Sequence, residues 1–489
     1  MKSIHLLKPI PLVLLLSFLL TVTLFIACED DIIEEEEIEE VIDRTYPIVE
    51  TNQGLCYSNC VQIDPPAEGE AFYGQDAQYT GTAPSYTDNG DGTITDNVTG
   101  LIWTQEVSTF AMSWNDAANY CDTLTTGNKT DWRLPSVKEL WSIRDFSMGF
   151  PWVDTDYFYL VGDGSDNAQH HSWSCTPYLV ESEYQNEQVI GDPVFIVNDW
   201  SGHIKAMSGN RFVRAVCGVT DYGINDFEDN GDGTITDNAT GLMWSQDDNG
   251  EAINWGDALA YAQAATIAGY DDWRLPNIKE LQSIADYSGV FPCINSDMFN
   301  LTQLTNIMGQ TDYPFYWSST SNPIQGEEGV EGGTIYAWFL AFGYNVDQGG
   351  YDLHGSGSVC FDAKSEECTE NSGLEVYYNY VRLVRGGNVT ETPDGDPSCI
   401  NADRVVVFPD GDTGGGGGGG EIPDFMPGVE YLVTIGITVT VEELEAIVGG
   451  PPVPTAAELV ENFAEYDIVI TEEQAQELLD ILNLEGGRS

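Results

Sequence analysis

One stretch of this chain occurs twice. Residues 88–103 read DNGDGTITDNVTGLIW and residues 229–244 read DNGDGTITDNATGLMW. The same shift of 141 positions carries Trp114 onto Trp255, Ala117 onto Ala258, Tyr120 onto Tyr261, and the run Trp132 to Pro135 onto Trp273 to Pro276. A constant offset means duplication without insertion, and such repeats constrain architecture before any other feature does. Further on the spacing changes, but Trp173 still answers Trp317, and the stretch Arg211 to Arg214 answers Tyr380 to Arg382. The period is too long for a solenoid, so two separately folded domains are expected.

Each copy yields the same coarse reading. The NGDG turn joins short strands, because Asn and Gly tolerate positive φ. Ser113 with Asp116 opens a helix whose apolar positions are Ala117, Tyr120, Cys121 and Leu124. Ser136 with Glu139, and Asn277 with Glu280, place an N-cap oxygen three residues before a Glu, a helix start in both copies. The rest is rich in strands and loops. The expected class is α+β, two helices against a mainly antiparallel sheet in each copy.

The flanks differ in kind. Lys2 and Lys8 precede an apolar run over residues 10–26 that ends in Ala27 and Cys28, an export signal. Phe25-Ile26-Ala27-Cys28 resembles a lipoprotein box, with Phe25 where Leu is usual, and makes Cys28 the lipidation site. A retained membrane anchor is the alternative. The acidic residues from Glu29 to Glu40 self-repel and form a tether that resembles the surface-export signal of Bacteroidetes lipoproteins. The division is therefore 1–27 signal peptide, 28–50 acidic tether, 51–85 lead-in, 86–220 and 221–390 the two copies, 391–424 Pro/Gly linker and 425–489 a small helical module. Gly414 to Gly420 is an unbroken glycine run within that linker. The expected location is the cell envelope, as an outer-membrane lipoprotein exposed at the surface with its lipid anchor in the membrane.

Charge excludes a class of partner. There are 80 acidic residues against 17 basic ones, a formal net charge of −63. Phosphate backbones need Lys and Arg, so nucleic acid is not a partner. Ten cysteines occur; with Cys28 lipidated the remaining number is odd, so one thiol is free or pairs between chains, which leaves a homo-oligomer open. Cys56 and Cys60 are close enough for a small loop disulfide, and Cys360 with Cys368 is a further candidate pair. No Cys-x-x-Cys pair and five histidines argue against structural zinc.

The ordered motifs GDGTITDNVTGLIW, SWNDAANYC, DWRLPSVKEL, SWSCT and RFVRAVCG, and their second set GDGTITDNATGLMW, NWGDALAYA, DWRLPNIKEL, YWSST and YVRLVRG, carry a family resemblance. Both copies resemble the C-terminal domain of the Legionella collagen-like adhesin (Lcl). The lead-in run Phe72 to Asp76 also resembles segments that precede this domain. The resemblance implies binding rather than catalysis, and the pattern is in turn similar to C-type-lectin-like folds. In those folds the Cys of the first helix pairs with one on the last strand, which implies a Cys121–Cys217 bridge. Copy two has Ala262 and Arg385 there, so the bridge would be a stabiliser only. The resemblance also implies the glycosaminoglycan binding known for the adhesin domain, but sulphated polyanions need cations, which are scarce in this chain.

Three sets of residues are weighed as sites. Asp88, Asn89, Asp91 and Asp96, with Asp229, Asn230, Asp232 and Asp237, offer oxygens to Ca²⁺, the one candidate ion; no other cofactor is expected. They do not form an EF-hand, since Thr87 and Val98 would fall at ligand positions, and the plainer reading is a turn whose Asp and Asn cap their own backbone. Arg133 and Arg274 read as ion-pair partners of Asp131, Asp145 or their counterparts, with a ligand carboxylate clamp as the alternative. Trp103, Trp132 and Trp173, with Trp244, Trp273 and Trp317, read as core, with a sugar-stacking platform as the alternative.

No G-x-S-x-G, H-E-x-x-H or P-loop occurs, and histidine is too scarce for a triad. The R-L-P-x-x-x-E run also resembles formylglycine-generating oxidase domains, which need a reactive pair; Cys175 and Cys217 would have to serve. The expectation is a non-enzymatic protein with two domains for extracellular carbohydrate or an envelope polymer. A structural component of the envelope, docking a partner through 425–489, is the alternative.

Overall fold

The computed structural model describes residues 46–147, 151–160, 171–180, 193–322, 335–346, 352, 354–366 and 378–392. The signal peptide, Cys28, Cys368, most of the tether and linker, and the helical module at 425–489 lie outside the described residues.

The class is α+β with mostly antiparallel sheets. In copy one a four-stranded sheet runs Val216–Gly218, Leu101–Thr104, Thr93–Asp96, Tyr86–Asp88. Copy two repeats it as Val384–Gly386, Leu242–Ser245, Thr234–Asp237, Phe227–Asp229. The helices begin where caps allow. Ser113 and Asn254 accept the backbone N–H of Asp116 and Asp257 at the heads of helices Trp114–Thr123 and Trp255–Ala264. The short helices Val137–Ser142 and Ile278–Ser283 each carry a complete capping box, so two otherwise orphaned N–H groups are satisfied at each start.

The expectation of two separately folded units is corrected by a third sheet. Six strands run in the order Phe315–Asn322, Tyr336–Ala341, Val359–Ala363, Ile204–Met207, Val194–Asn198, His171–Pro177. The first three belong to copy two and the last three to copy one. At the seam Val359 stands opposite Ile204. Tracing register outward from Trp317–Phe339–Cys360 and from Trp173–Ile196–Lys205 makes Val359 and Ile204 the same position of the two copies. Equivalent residues thus face each other, as they do on a two-fold axis.

Side chains repeat that symmetry. Lys138 Nζ donates to Ser283 O at 2.6 Å, and Lys279 Nζ donates to Ser142 O at 2.9 Å, the same contact made in both directions. Burial lowers both ammonium groups, to about 8 and about 7. Phe195 of copy one meets Tyr287 of copy two at 4.8 Å, and Trp338 of copy two meets Phe146 of copy one at 5.5 Å. One apolar cluster contains Leu140, Trp141, Trp152 and Phe195 together with Leu281, Ile284, Trp338 and Phe361. At Gly202 (φ +80°) a Cβ would stand 2.8 Å from Trp338 and 3.0 Å from Trp152, so the chain turns there only without a side chain. The copies are joined because each would otherwise expose half of this cluster.

The lead-in, though next to copy one in sequence, is laid on copy two. Gln53 makes a paired amide contact with Ser321, donating to its O at 2.6 Å and accepting from its N at 2.8 Å. Phe72 stacks on Trp255, and Lys364 lies over the same indole and donates to Ser58 O. Strand Tyr79–Thr80 pairs with Thr390–Glu391 beyond the second copy. Asp76, 3% exposed, accepts from Thr51 Oγ1 and Thr320 Oγ1 at 2.9 and 2.6 Å. Burial first, then the nearby Glu280 and Glu50, push its carboxyl up to about 7 against the lowering by the two hydroxyls.

That shift has a consequence for stability. An unfolded Asp ionises near pH ~4, so Asp76 contributes stability below about pH 4 that is lost as the pH rises towards about 7. Asp76→Asn is expected to flatten this part of the curve. The check is Tm against pH: the parent loses Tm across the window relative to the variant, and parallel curves would oppose the assignment.

The three expected disulfides are not formed. The hairpin places Cys56 opposite Ile63, with its thiol buried and free; Cys60 is disulfide-bonded, but not to Cys56. Cys360 is a free thiol facing Asn345 from inside its strand. Cys121 and Cys217 are free and share a cluster with Ala117, Trp132, Leu134 and Val213, where they act as small apolar side chains. Copy two fills the same places with Ala262 and with Arg385, which stacks on Tyr270 at 3.7 Å and pairs with Asp272 at 2.6 Å.

Candidate functional site

The most repetitive residues turn out to be scaffold. Arg133 grips Glu139 with two contacts of 2.7 and 2.6 Å, and Arg274 grips Glu280 with 2.6 and 2.7 Å. The expected partners Asp131 and Asp145 are corrected: the carboxylate is that of the capping box, and Glu139 also accepts from Ser136 N at 2.7 Å. One acid therefore closes the helix start and holds the guanidinium in a bidentate pair. The spacing R-L-P-x-x-x-E carried this signal, because the N3 Glu turned back to its cap also meets the Arg three residues before that cap.

Trp132 and Trp273 are buried and donate through Nε1 to Thr126 O and Ile267 O. Trp103, Trp173, Trp244 and Trp317 are at most 1% exposed, which leaves none of them free to stack on a sugar. The acidic turns cap themselves. Asp88 Oδ1 accepts from Gly90 N, and Asp91 Oδ1 from the hydroxyl and N–H of Thr93. Asn89 donates to Thr93 and Thr95. Asp229, Asn230 and Asp232 repeat these contacts. Asp96 and Asp237 are buried at the hairpin base, accepting from Val98 and Thr99 and from Asp226 and Ala239, while Asp88 and Asp91 stand exposed at the tip. The four residues of each set are not brought to one point, so their geometry does not fit a Ca²⁺ cage. Among the described residues no group of three His, Cys, Asp or Glu could hold a metal ion.

Cys175 is exposed on strand His171–Pro177, whereas Cys217 is buried. Burial pushes the Cys217 thiol up to about 11. Partial desolvation of the Cys175 sulfur in its strand, with the nearby Glu139 carboxylate, raises that thiol although the residue has an exposed surface. Both shifts lead away from the thiolate that oxidase chemistry requires.

One accessible surface lies on copy two around helix Trp255–Ala264. Tyr261 and Tyr378 are 41% and 46% exposed. Burial of part of the ring, then the Asp248 and Glu251 carboxylates, raise the hydroxyls of Tyr261 and of the neighbouring Tyr380. Tyr378 is hydrogen-bonded to the Glu366 side chain and sits within the field of Asp257. Asp248 anchors the loop below: it accepts from Thr302 N and Oγ1 at 2.7 Å, from Tyr316 Oη at 2.6 Å and from Gly250 N at 3.0 Å. Sequence reasoning missed Asp248, because copy one has Val107 at that offset and the repeat hides residues peculiar to one copy. The surface combines amphipathic rings with hydrogen-bond acceptors. It can hold a hydroxylated ligand, and it brings together no acid, base and nucleophile among the described residues.

No curated protein and no solved structure matches the chain. A family model does, twice, over residues 92–217 and 233–361. The second match stops before strand Val384–Gly386, which still pairs with Leu242–Ser245 as the last strand of copy one pairs with Leu101–Thr104. The chain thus belongs to the Lcl C-terminal domain family and carries two tandem copies of its domain.

Proposed function

We propose that this is a surface-displayed lipoprotein, anchored through Cys28, whose joined domains bind extracellular carbohydrate or a related envelope polymer and catalyse nothing. The adhesin-like character of the family supports the reading, and a C-type-lectin-like fold for each copy is proposed as part of it. The observation that carries it is the exposed Tyr261–Tyr378 surface with carboxylates at its edge. Tyrosine offers a sugar an apolar face and a hydroxyl at once, and ordering it costs little entropy. The net charge of −63 favours neutral or cationic polymers over sulphated ones. Calcium is not needed for this reading, since the acidic turns satisfy themselves.

A glycan array with and without Ca²⁺ tests it. The full chain is expected to bind a neutral or amino sugar equally in both conditions. Tyr261→Ala with Tyr378→Ala should weaken binding at least about ten-fold. Both residues are exposed, so stability should stay within about 0.5 kcal/mol of the parent. Unchanged binding in that double variant would move the site elsewhere; silence across the array would favour a role in envelope assembly.

A further inference from the structure

The two copies are alike, but only one is covered. On copy two residues 51–80 lie against Trp255, Leu259, Arg274 and Thr320, and Ser319 next to Thr320 is buried. Their counterparts on copy one are Trp114, half-buried; Ala118, exposed; Arg133, whose side chain is 30% exposed; Cys175, exposed; and Thr176, half-buried. The framework beneath is the same. Thr176 Oγ1 accepts from Val137 N at 3.2 Å as Thr320 Oγ1 accepts from Ile278 N at 3.0 Å. Trp114 Nε1 donates to Ser174 O at 2.9 Å as Trp255 Nε1 donates to Ser318 O at 2.9 Å. Thr320 keeps its own proton for Asp76, and Arg274 lies over the Tyr79 ring at 5.3 Å.

We propose that this face of copy one is a docking site for an extended segment of a partner protein, laid down as residues 51–80 lie on copy two. Copy two supplies the chemistry of the occupant. A carboxylate at the Asp76 position reaches the Thr176 hydroxyl beside Arg133. An aromatic ring three residues on lies against the Arg133 guanidinium. The residue at the Phe72 position is small. Gly256 leaves room for Phe72, where a Cβ would stand 2.9 Å from the ring, and copy one has Asn115 there. That last difference, with one lead-in per chain already engaged, excludes the lead-in of a second copy as the occupant. Pro177 in place of Ser321 also removes the N–H that Gln53 uses, so the segment is held mainly through its acid and its ring.

The probe is a synthetic peptide of residues 70–80 with Phe72 replaced by alanine, added to the full chain. Cys175 reports occupancy, since its counterpart Ser319, next to the Thr320 that Asp76 engages, is 1% exposed. The peptide is expected to slow alkylation of Cys175 at least about ten-fold and to saturate at one per chain. Peptide carrying Asp76→Asn, or protein carrying Thr176→Val, should lose most of this protection, while Thr320→Val in copy two should not alter it. Ala118→Arg, at an exposed helix position, blocks the face without touching Thr176 and should abolish protection. Asn115→Gly should let the peptide with Phe72 restored bind as well. No protection at millimolar peptide, or protection indifferent to Thr176→Val and Ala118→Arg, would overturn the proposal. So would protection by an oligosaccharide in place of the peptide. Glycan binding at Tyr261 and Tyr378 lies on the other copy, so either reading can fail without the other.

Discussion

Trp338→Ala is expected to lower the stability of the whole chain by about 3–5 kcal/mol, not that of copy two alone. Trp338 belongs to copy two, but its indole is fully buried against residues of copy one. The ring centroids of Trp141, Phe146 and Trp152 lie 6.4, 5.5 and 5.0 Å away, at steep interplanar angles that favour edge-to-face contact. Phe361 at 5.2 Å is the main aromatic neighbour from its own copy. Truncation leaves a cavity whose walls come from both copies, and Gly202 cannot move in to fill it without dragging its turn. Calorimetry of parent and variant checks this. Both should unfold in one transition, with the variant shifted as a whole. Two transitions, of which only one moves, would mean that the seam is an interface between independent domains. The same argument predicts that a chain cut at residue 220 self-associates, since it exposes Trp141, Trp152 and Phe195 together.

The sequence made each copy legible but not their union. Capping pairs are local, and Ser136 with Glu139 could be read at three-residue spacing because the same atoms close the helix start. The turns were legible for the same reason: Asp88 and Asp91 bond to groups two residues away. The arginine partners were misread because Asp131 lies closer along the chain, whereas the cap geometry aims Glu139 at Arg133. The seam left no mark. Ile204 and Val359 are ordinary strand residues, and nothing local says that one will face the other. The lead-in was invisible too, because its side-chain contacts span some 240 to 270 residues and reach the more distant copy. The cysteine on the first helix showed only a resemblance, and a thiol packs as well as a bridge does in that cluster. Tyr261 could be placed by the repeat, but the Asp248 carboxylate that acts on it has no counterpart in copy one.

Asp199→Ala is expected to cost about 3–5 kcal/mol, and a second substitution should recover most of that loss. Arg144 and Arg214 share Asp199, at 2.5 and 3.4 Å, and all three side chains are at most 1% exposed. Arg214 also donates to Gln105 O and Tyr159 O, while Arg144 has one further contact, to Leu140 O. Removing the acid strands Arg144 as an uncompensated buried cation, which is the costly half of a buried pair. Copy two shows how the site does without the pair. Offset and register place Ala285 at the position of Arg144 and Phe342 at that of Asp199, while Arg382 keeps the carbonyl contacts of Arg214, to Ser245 O, Gln246 O and Asn300 O. Its guanidinium lies over Phe299, as that of Arg214 lies over Phe158, and also over Tyr316, where Arg214 has the acid. Copying that solution as Arg144→Ala with Asp199→Phe should return the stability to within about 1–2 kcal/mol of the parent, because Arg144 leaves with its acid while Arg214 keeps its carbonyl partners. Urea unfolding of the parent, Arg144→Ala, Asp199→Phe and the double variant closes the cycle, with Asp199→Ala measured beside it. If the double variant is as unstable as Asp199→Ala, the two copies differ in more than charge at this point, and the pair is an integral part of the copy-one fold rather than a replaceable variant of it.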